Sequence, residues 1–339
     1  MSRVEVEMAT GEDRALSRVD ASILIVAWNA GRFIKDCLAT VKAGTGSLAA
    51  EIIVVDNASS DGTGDMVREG FGDVRLIRTP TNLGFAKGNN FGLPYCTGKY
   101  IYLVNPDVTV HPECIPALFR YMELHPDVGI VGPRLLNPDG TPGRSTMRFP
   151  TLWRMFCRAV AIDSLFKRSR VFGGFLMRDF RPNQPVDVDI LNGWFWVVRR
   201  EALQEVGVLD RRLFMYGDDM DWCYRFRQAG WRAVLYPLAE ATHYGGGTTL
   251  RAPVRFAVEK ERSFVQYWEK YHGKASTLFY RAISIFNHFI RLMGYTVVAG
   301  LPHQGRPIAV LKRRRSMACL LWLAGLESTE GEVKDERVG

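Results

Sequence analysis

The chain contains no Cys-x-x-Cys pair, no long unbroken apolar run and no internal repeat. Its six cysteines (Cys37, Cys96, Cys114, Cys157, Cys223 and Cys319) are scattered. That scatter excludes a zinc ribbon and a disulfide framework, and it predicts reduced thiols inside a core. A membrane-spanning helix needs about 18 or more apolar residues in succession. The best candidate, "AISIFNHFIRLMGYTVVAGL" at 282–301, is broken by Asn287, His288 and Arg291, so no span is expected. Residues 1–20 are polar and mixed in charge, without the apolar stretch of a signal peptide. These absences point to a cytoplasmic protein. Acid is scarce in one region, 251–315, which holds only Glu259, Glu261 and Glu269.

What is present is ordinary globular composition. The 339 residues are 47% hydrophobic and 24% charged, enough for one large domain or two smaller ones. A formal net charge of +8 favours an anionic partner: a nucleotide, a nucleic acid or an acidic membrane surface. Two β-branched runs, "ASILIVAWN" (21–29) and "EIIVVDNASSDGT" (51–63), read as buried strands. The first leads into Phe33, Ile34, Cys37, Leu38 and Val41 at helical spacing. The second is followed by "GDMVREGF" as helix and "VRLIRT" as strand. "NLGFAKGNNFGLPYC" (82–96) reads as a glycine-rich turn entering a helix, and "YIYLVNPDVTV" (100–110) as another strand.

Alternating strand and helix predict a Rossmann-like, mostly parallel α/β sheet flanked by helices, with ligands beyond the carboxyl ends of its strands. Those ends carry Trp28 and Asn29, Asp56 and Asn57, and Asn105 and Asp107. Residues 134–189, with several prolines and the basic run "KRSR" (167–170), read as a long, partly mobile excursion over the pocket. A strand and a helix return in 187–207, and "WRAVLYPLAEATHYGGGTT" adds a last strand and a glycine-rich loop.

Three constellations carry chemistry. "NPD" at Asn105–Asp107 puts a carboxylate at a strand end, where it could hold a divalent cation through oxygen. The same tripeptide at Asn137–Asp139 sits in "NPDGTP" and reads only as a turn. "YGDDMDWCYRFRQAGW" (216–231) packs Asp218, Asp219 and Asp221 into four positions ahead of a helical pattern. Carboxylates this close repel unless they bind a cation or take up protons, although acids also suit a helix N-terminus. His243 follows directly on a strand.

The motifs "SILIVAWNAGRFIKDCL", "EIIVVDNASSDGT", "NLGFAKGNN", "YIYLVNPDV", "RREALQEVGVLDRRLFMYGDDMDWCYRFRQAGW" and "HYGGGTT" occur in this order over about residues 21–250. In order and spacing the series resembles the family 2 inverting glycosyltransferases with a GT-A fold. Within them it is most similar to the rhamnosyltransferase-like branch that builds bacterial surface polysaccharide. The resemblance implies an Asp-x-Asp metal motif at Asn105–Asp107, with Asn105 in place of the first acid. It makes Asp107 the main ligand of Mg²⁺ or Mn²⁺ on the donor diphosphate, and His243 a second ligand or a diphosphate contact. It places Asp56 and Asn57 on the base and ribose, with Trp28 and Asn29 lining that pocket. Asn82, Gly84, Lys87 and Asn89 would lie beside the nucleotide, where the lysine could offset phosphate charge. It makes Asp219 the catalytic base, with Asp218 and Asp221 tuning and positioning it. The implied donor is a nucleotide sugar, dTDP-L-rhamnose in this branch, and the implied acceptor a saccharide, often lipid-linked.

The implied domains are a polar segment 1–20, a glycosyltransferase domain 21–250, a basic and aromatic helical extension 251–326 and a disordered tail 327–339. The glycosyltransferase domain divides into a nucleotide half, 21–108, and an acceptor half, 109–250. A nucleotidyltransferase would share the sheet and the metal aspartate. It usually carries a glycine-rich basic loop directly after its first strand, which "VAWNAGRF" lacks. A non-catalytic binding protein would explain the positive charge but not Asp107, Asp219 and His243 together. In the extension, "FIRLMGYTVVAGL" and "LKRRRSMACLLWLAGL" set apolar residues beside Arg and Lys. That pattern fits helices lying on the inner face of the cytoplasmic membrane better than nucleic-acid binding. A helical hairpin packed on the core or forming a homodimer is the competing expectation.

Overall fold

Strand β1 (Ala21–Ala27) is buried along nearly its whole length because both of its faces are covered. In the computed structural model, Ile23 and Ile25 pack with Ile34, Cys37, Leu38 and Val41 of helix α1 (Ile34–Gly44). Leu24, between them, points to the opposite face and joins Ala86, Leu93 and Trp196. Period-2 alternation with both faces covered gives an unbroken apolar run, which is why the sequence shows no polar alternation here. The structure describes residues 19–167, 169, 171–177, 180–213, 216–245, 252–302 and 304–326. The polar segment up to residue 18, the tail, parts of "KRSR" and of "HYGGGTT", and the expected boundary near 250 lie outside the described residues.

Beyond α1, strands and helices alternate as the sequence predicts: β2 (Ala50–Asp56), α2 (Thr63–Gly70), β3 (Arg75–Arg78), α3 (Gly84–Gly92) and β4 (Tyr100–Val104). Then come β5 (Val108–Val110), α4 (Cys114–Leu124) and β6 (Val128–Leu136). The excursion contains β7 (Thr146–Met147), α5 (Leu152–Ala159), α6 (Ile162–Leu165), β8 (Val186–Asp187) and β9 (Ile190–Leu191). The chain returns through β10 (Phe195–Arg199), α7 (Arg200–Val206), α8 (Asp218–Gln228) and β11 (Arg232–His243). It closes with α9 (Pro253–Tyr271), α10 (Gly273–Gly300) and α11 (Arg306–Leu323).

One sheet runs in the order β3-β2-β1-β4-β10-β6-β11-β5, with β8 added on β11. The half from β3 to β4 is wholly parallel. The other half is mixed, since β10 lies antiparallel to both β4 and β6 while β11 runs parallel to β6. The antiparallel β10 matters for the site. It begins where β4 ends, with Phe195 opposite Val104, so the loop before it joins the same sheet edge. All six cysteines are free and buried. Asn137 and Gly140 close a turn, as the second "NPD" predicts.

The extension is continuous with the rest of the core. Phe264, Val265, Tyr267 and Trp268 of α9 share a cluster with Trp196 and Trp222. Helix α9 is tied down by charge as well. Asp221 on α8 is bonded by Arg225 at 3.0 Å, Lys270 at 2.6 Å and the Tyr271 hydroxyl at 2.7 Å. Helix α10 is long and apolar enough, by length and composition, to cross a bilayer. Thr277, Tyr280 and Ser284 are turned inward, and His288 stands 3.2 Å from the Glu261 carboxylate of α9.

Candidate active site

The strand ends converge as the topology requires. Chain order reverses between β1 and β4, and polar residues gather beyond that switch point. Asn29, after β1, takes a left-handed φ of +49°. Its side-chain oxygen accepts from the Ser60 amide at 2.8 Å, linking the β1 and β2 ends. Asp56, buried at the end of β2, accepts from the Ser59 amide at 3.0 Å and faces Arg78 at 3.5 Å. Gly64 is glycine because the Asp56 carboxylate and the Arg78 guanidinium occupy the space of a side chain, 2.1 Å and 2.8 Å from a Cβ.

Asn57, which the resemblance places on the base and ribose, is engaged by the neighbouring turn. It is 2% exposed, and its amide nitrogen donates to Asn82 Oδ1 and the Gly84 carbonyl. Its oxygen accepts from Thr79 and the Leu83 amide. This side chain holds the turn that starts α3, and Asn82 completes the turn by accepting from the Gly84 amide. Asn89 is also buried and donates to the Phe85 carbonyl at 2.9 Å, inside α3. Lys87 on the same helix is exposed. Trp28 stands half-buried at the mouth of the β1 end.

The second constellation assembles at the β4 end. Asp107 Oδ1 lies 3.4 Å from His243 Nε2, a pairing fixed by the antiparallel β5–β11 ladder, in which Val108 opposes His243. The Tyr244 amide bonds the Asp107 carbonyl at 2.9 Å and locks the two segments together. Two ligands side by side on a cation, each at about 2.1 Å, stand about 3 Å apart. The carboxylate and imidazole therefore fit one small divalent ion, with its other positions left to donor oxygens. Among the described residues no group of three or more His, Cys, Asp or Glu is arranged to hold a metal ion, so these side chains alone do not complete a cage.

The segment Asn192–Trp194, which the sequence reading passed over as strand, bridges the two acidic sites. The Trp194 ring stacks on His243 at 4.4 Å with an interplanar angle of 10°. The Trp194 carbonyl accepts from the Asn105 amide at 3.0 Å. A Cβ on Gly193 would meet the Trp196 ring at 3.0 Å and lie 3.6 Å from Asp218 Oδ2. Beside Trp194 opens a cavity of about 520 Å³, roofed by the excursion and lined by Arg134, Arg144, Ser145, Phe180 and Arg181 among others.

The acidic helix start faces this junction. Tyr216 and Gly217 both take left-handed φ values, +69° and +74°, which turn the chain sharply into α8. Three acids then fall in its first turn, consistent with the helix dipole. They are not equivalent. Asp221 is held by cations and joins α8 to α9, so it serves the fold. Asp218 is buried, one of its oxygens finding no partner among the described residues. Burial, then repulsion from Asp219 and Asp221, pushes the Asp218 carboxyl up to about 8. Burial also pushes Asp219 up to about 6, against the pull of the Met220 amide and Lys260. The cause for Asp219 is desolvation first, not the repulsion by its neighbours that the sequence predicts. A partly exposed carboxyl whose proton affinity is raised by burial, beside a second one raised further, is an arrangement suited to accepting a proton.

Known proteins carry the same frame. The Glycosyl transferase family 2 profile matches residues 22–207. An N-acetylglucosaminyl-diphospho-decaprenol L-rhamnosyltransferase of Mycobacterium tuberculosis is 28% identical over 264 residues, 74% of this chain and 85% of that one. A low-salt glycan biosynthesis hexosyltransferase of Haloferax volcanii is 25% identical over 228 residues, 66% of this chain and 67% of that one. Among solved structures, a mannosyltransferase of Pyrobaculum calidifontis with GDP-Man and Mn²⁺ superposes with a TM-score of 0.52 at 16% identity, covering 92% of this chain and 89% of that one. GalNAc-T7 with UDP, GalNAc and Mn²⁺ gives 0.55 at 14% identity, covering 91% of this chain and 56% of that one. A match that runs from β1 to the end of α7 and takes in the β1, β2 and β4 strand ends leaves one conclusion: the chain, similar to a rhamnosyltransferase in sequence and to GT-A enzymes in fold, belongs to glycosyl transferase family 2 and is a glycosyltransferase.

Proposed function

We propose that this enzyme transfers L-rhamnose from dTDP-L-rhamnose, with inversion, to a lipid-linked saccharide at the inner face of the membrane. The observation that carries the reading is the placement of Asp107–His243 and Asp218–Asp219 on either side of the Asn192–Trp194 loop. Inverting transfer is a single displacement. The acceptor oxygen attacks the anomeric carbon as the bond to the diphosphate breaks, and the acceptor proton passes to Asp219. The nucleoside diphosphate leaves toward Asp107 and His243. A bound Mg²⁺ or Mn²⁺ supplies charge neutralisation for that leaving group. Burial raises the proton affinity of both Asp218 and Asp219, so that the pair disfavours carrying two charges at once. Asp56, Asn29 and Trp28 border the nucleotide end, and Asn57 and Asn82 hold its floor.

The Mycobacterium tuberculosis relative supports the sugar and the lipid-linked acceptor. The membrane reading is supported by α10, which exposes Leu278, Phe279, Phe289, Met293 and Val297 while burying Thr277, Tyr280 and Ser284. A helix with its apolar side outward needs a partner for that side. Within the basic run Lys312–Arg315 on α11, the exposed Arg313 and Arg314 favour an anionic leaflet, each charge adding about 1 kcal/mol near the surface.

The test is transfer from dTDP-, UDP- and GDP-sugars to an N-acetylglucosaminyl-diphospho-lipid, with the product anomer read by NMR. Rhamnose transfer with inversion that stops in excess EDTA supports the reading. Retention, or full turnover in chelator, overturns the mechanism. The bound UDP and GDP-Man of the structural neighbours make those two donors the second reading, and preference for either would replace the sugar assignment alone.

A further inference from the structure

A second cavity, of about 300 Å³, opens between α5, α9, α10 and α11, away from the strand ends. Five cations line it: Arg158, Lys260, Arg291, Lys312 and Arg315. The acid on its wall, Glu261, is already committed. It accepts from Ser284 at 2.6 Å and Tyr280 at 3.0 Å and pairs with His288 at 3.2 Å. Burial pushes this carboxyl up, but those partners outweigh it and hold it ionised at about 2. The cations are left to repel one another. Burial, and after it the neighbouring Arg291, lowers the Arg158 guanidinium against the pull of Glu261. Lys260 opens to solvent, yet the cavity walls and then Arg158 push its ammonium down to about 8. The Nε of Arg315 is buried without a partner among the described residues. Where Arg158 and Arg315 are partly withdrawn from water, such crowding raises the free energy of the fold unless an anion neutralises it.

The position of the cavity narrows the choice of anion. Lys260 lies one turn before Ser263, and Ser263 packs against Gly217 so closely that a Cβ there would meet it at 2.8 Å. The cavity therefore adjoins the start of α8, and Lys260 and Asp219 feel each other's charge. On its other side lies α10, whose outer face is apolar. An anion seated here lies against the part of α9 that packs on the start of α8, and beside the helix whose outer face is apolar. We propose that this cavity binds the diphosphate of a lipid-linked acceptor, so that the sugar it carries reaches Asp219 while the lipid tail runs along α10. The proposal rests on the acceptor class given under the proposed function.

The experiment titrates the full chain with farnesyl diphosphate, farnesyl monophosphate and inorganic pyrophosphate, followed by calorimetry. EDTA is present to keep diphosphate from binding through metal at Asp107. Farnesyl diphosphate should bind about ten-fold or more tighter than the monophosphate, and pyrophosphate should displace it. The double change Arg158→Gln and Arg315→Gln should weaken binding about ten-fold or more without lowering the unfolding midpoint of the unliganded chain. If that variant does not fold, Lys312→Gln at the rim is read in its place, with a weaker loss expected. Unchanged affinity in the variants overturns the site. Pyrophosphate binding as tight as farnesyl diphosphate overturns the lipid and leaves a free-phosphate site. Transfer is assayed separately. A chain that binds the lipid diphosphate but moves no sugar loses the reaction and keeps this site.

Discussion

The parallel half of the sheet and the C-terminal helices use apolar residues in opposite ways. In β1, β2 and β4, Leu24, Ile53 and Leu103 are buried, and polar groups are pushed to the strand ends. In α10, Leu278 is 70% and Val297 66% exposed, while Thr277, Ser284 and the Glu261–His288 pair sit inside. The first arrangement stabilises itself by removing apolar area from water. The second leaves much of that area facing outward while an ion pair and hydroxyls sit on the inner side of the helix. Measurements on the two regions decide whether that outward face has a partner.

The largest effect is expected where the two regions meet. Asp219→Asn should lower turnover by about 10²-fold or more, with little change in nucleotide affinity, because it removes a base and not a donor contact. Single-turnover rates and nucleotide titration separate the two. Wild-type turnover should fall as pH drops through about 6, where Asp219 takes up a proton and can no longer accept one. Near-normal turnover in Asp219→Asn would shift the base to Asp218.

Next comes a stability contrast. Leu24→Ala, in the fully buried strand, should cost about 2–5 kcal/mol in urea denaturation. Phe289→Ala, on the outer face of α10, should stay within about 0.5 kcal/mol. Comparable losses at both positions would mean that α10 is already covered in solution, as in a homodimer.

Vesicle flotation reads the same face directly. The full chain should rise with anionic vesicles at low salt and less so at high salt. Phe279→Ser with Phe289→Ser should reduce that binding. A chain that stays down at low salt removes the membrane reading.

The smallest effect is electrostatic. Asp218 and Asp219 have folded pKa values raised above the usual carboxylate range, so their contribution to stability is fully present below about pH 4. It is lost as pH rises through about 6 to 8. Asp218→Asn should flatten the fall in stability between these values, measured by unfolding midpoints across the range.

The α/β frame was legible because buried strands announce themselves as β-branched runs and the helices between them keep a 3.6-residue period. The strand-end residues were legible for the same reason, since an abrupt polar residue after such a run marks a sheet edge. Asn57 shows the limit. Its position at the β2 end was plain, yet its amide is consumed by the Thr79–Gly84 turn, a fact of distances no spacing encodes. Trp194 left a faint signal, "NGW" ahead of a strand. Nothing local says that an antiparallel β10 would stack it on His243, about fifty residues away along the chain.

By itself the sequence determined the family frame, the order of the strands and helices along the chain, the acids at the β4 end and at the start of α8, and the basic character of 251–315. These follow from local periodicity and composition, which act along the chain. Only the tertiary structure decided which of three neighbouring acids is consumed by ion pairs, which way the apolar side of α10 faces, and that Arg158 from the excursion meets Lys260 and Arg315 around one cavity. Those outcomes depend on desolvation and on charges brought together from distant segments, quantities that exist only once the chain has folded.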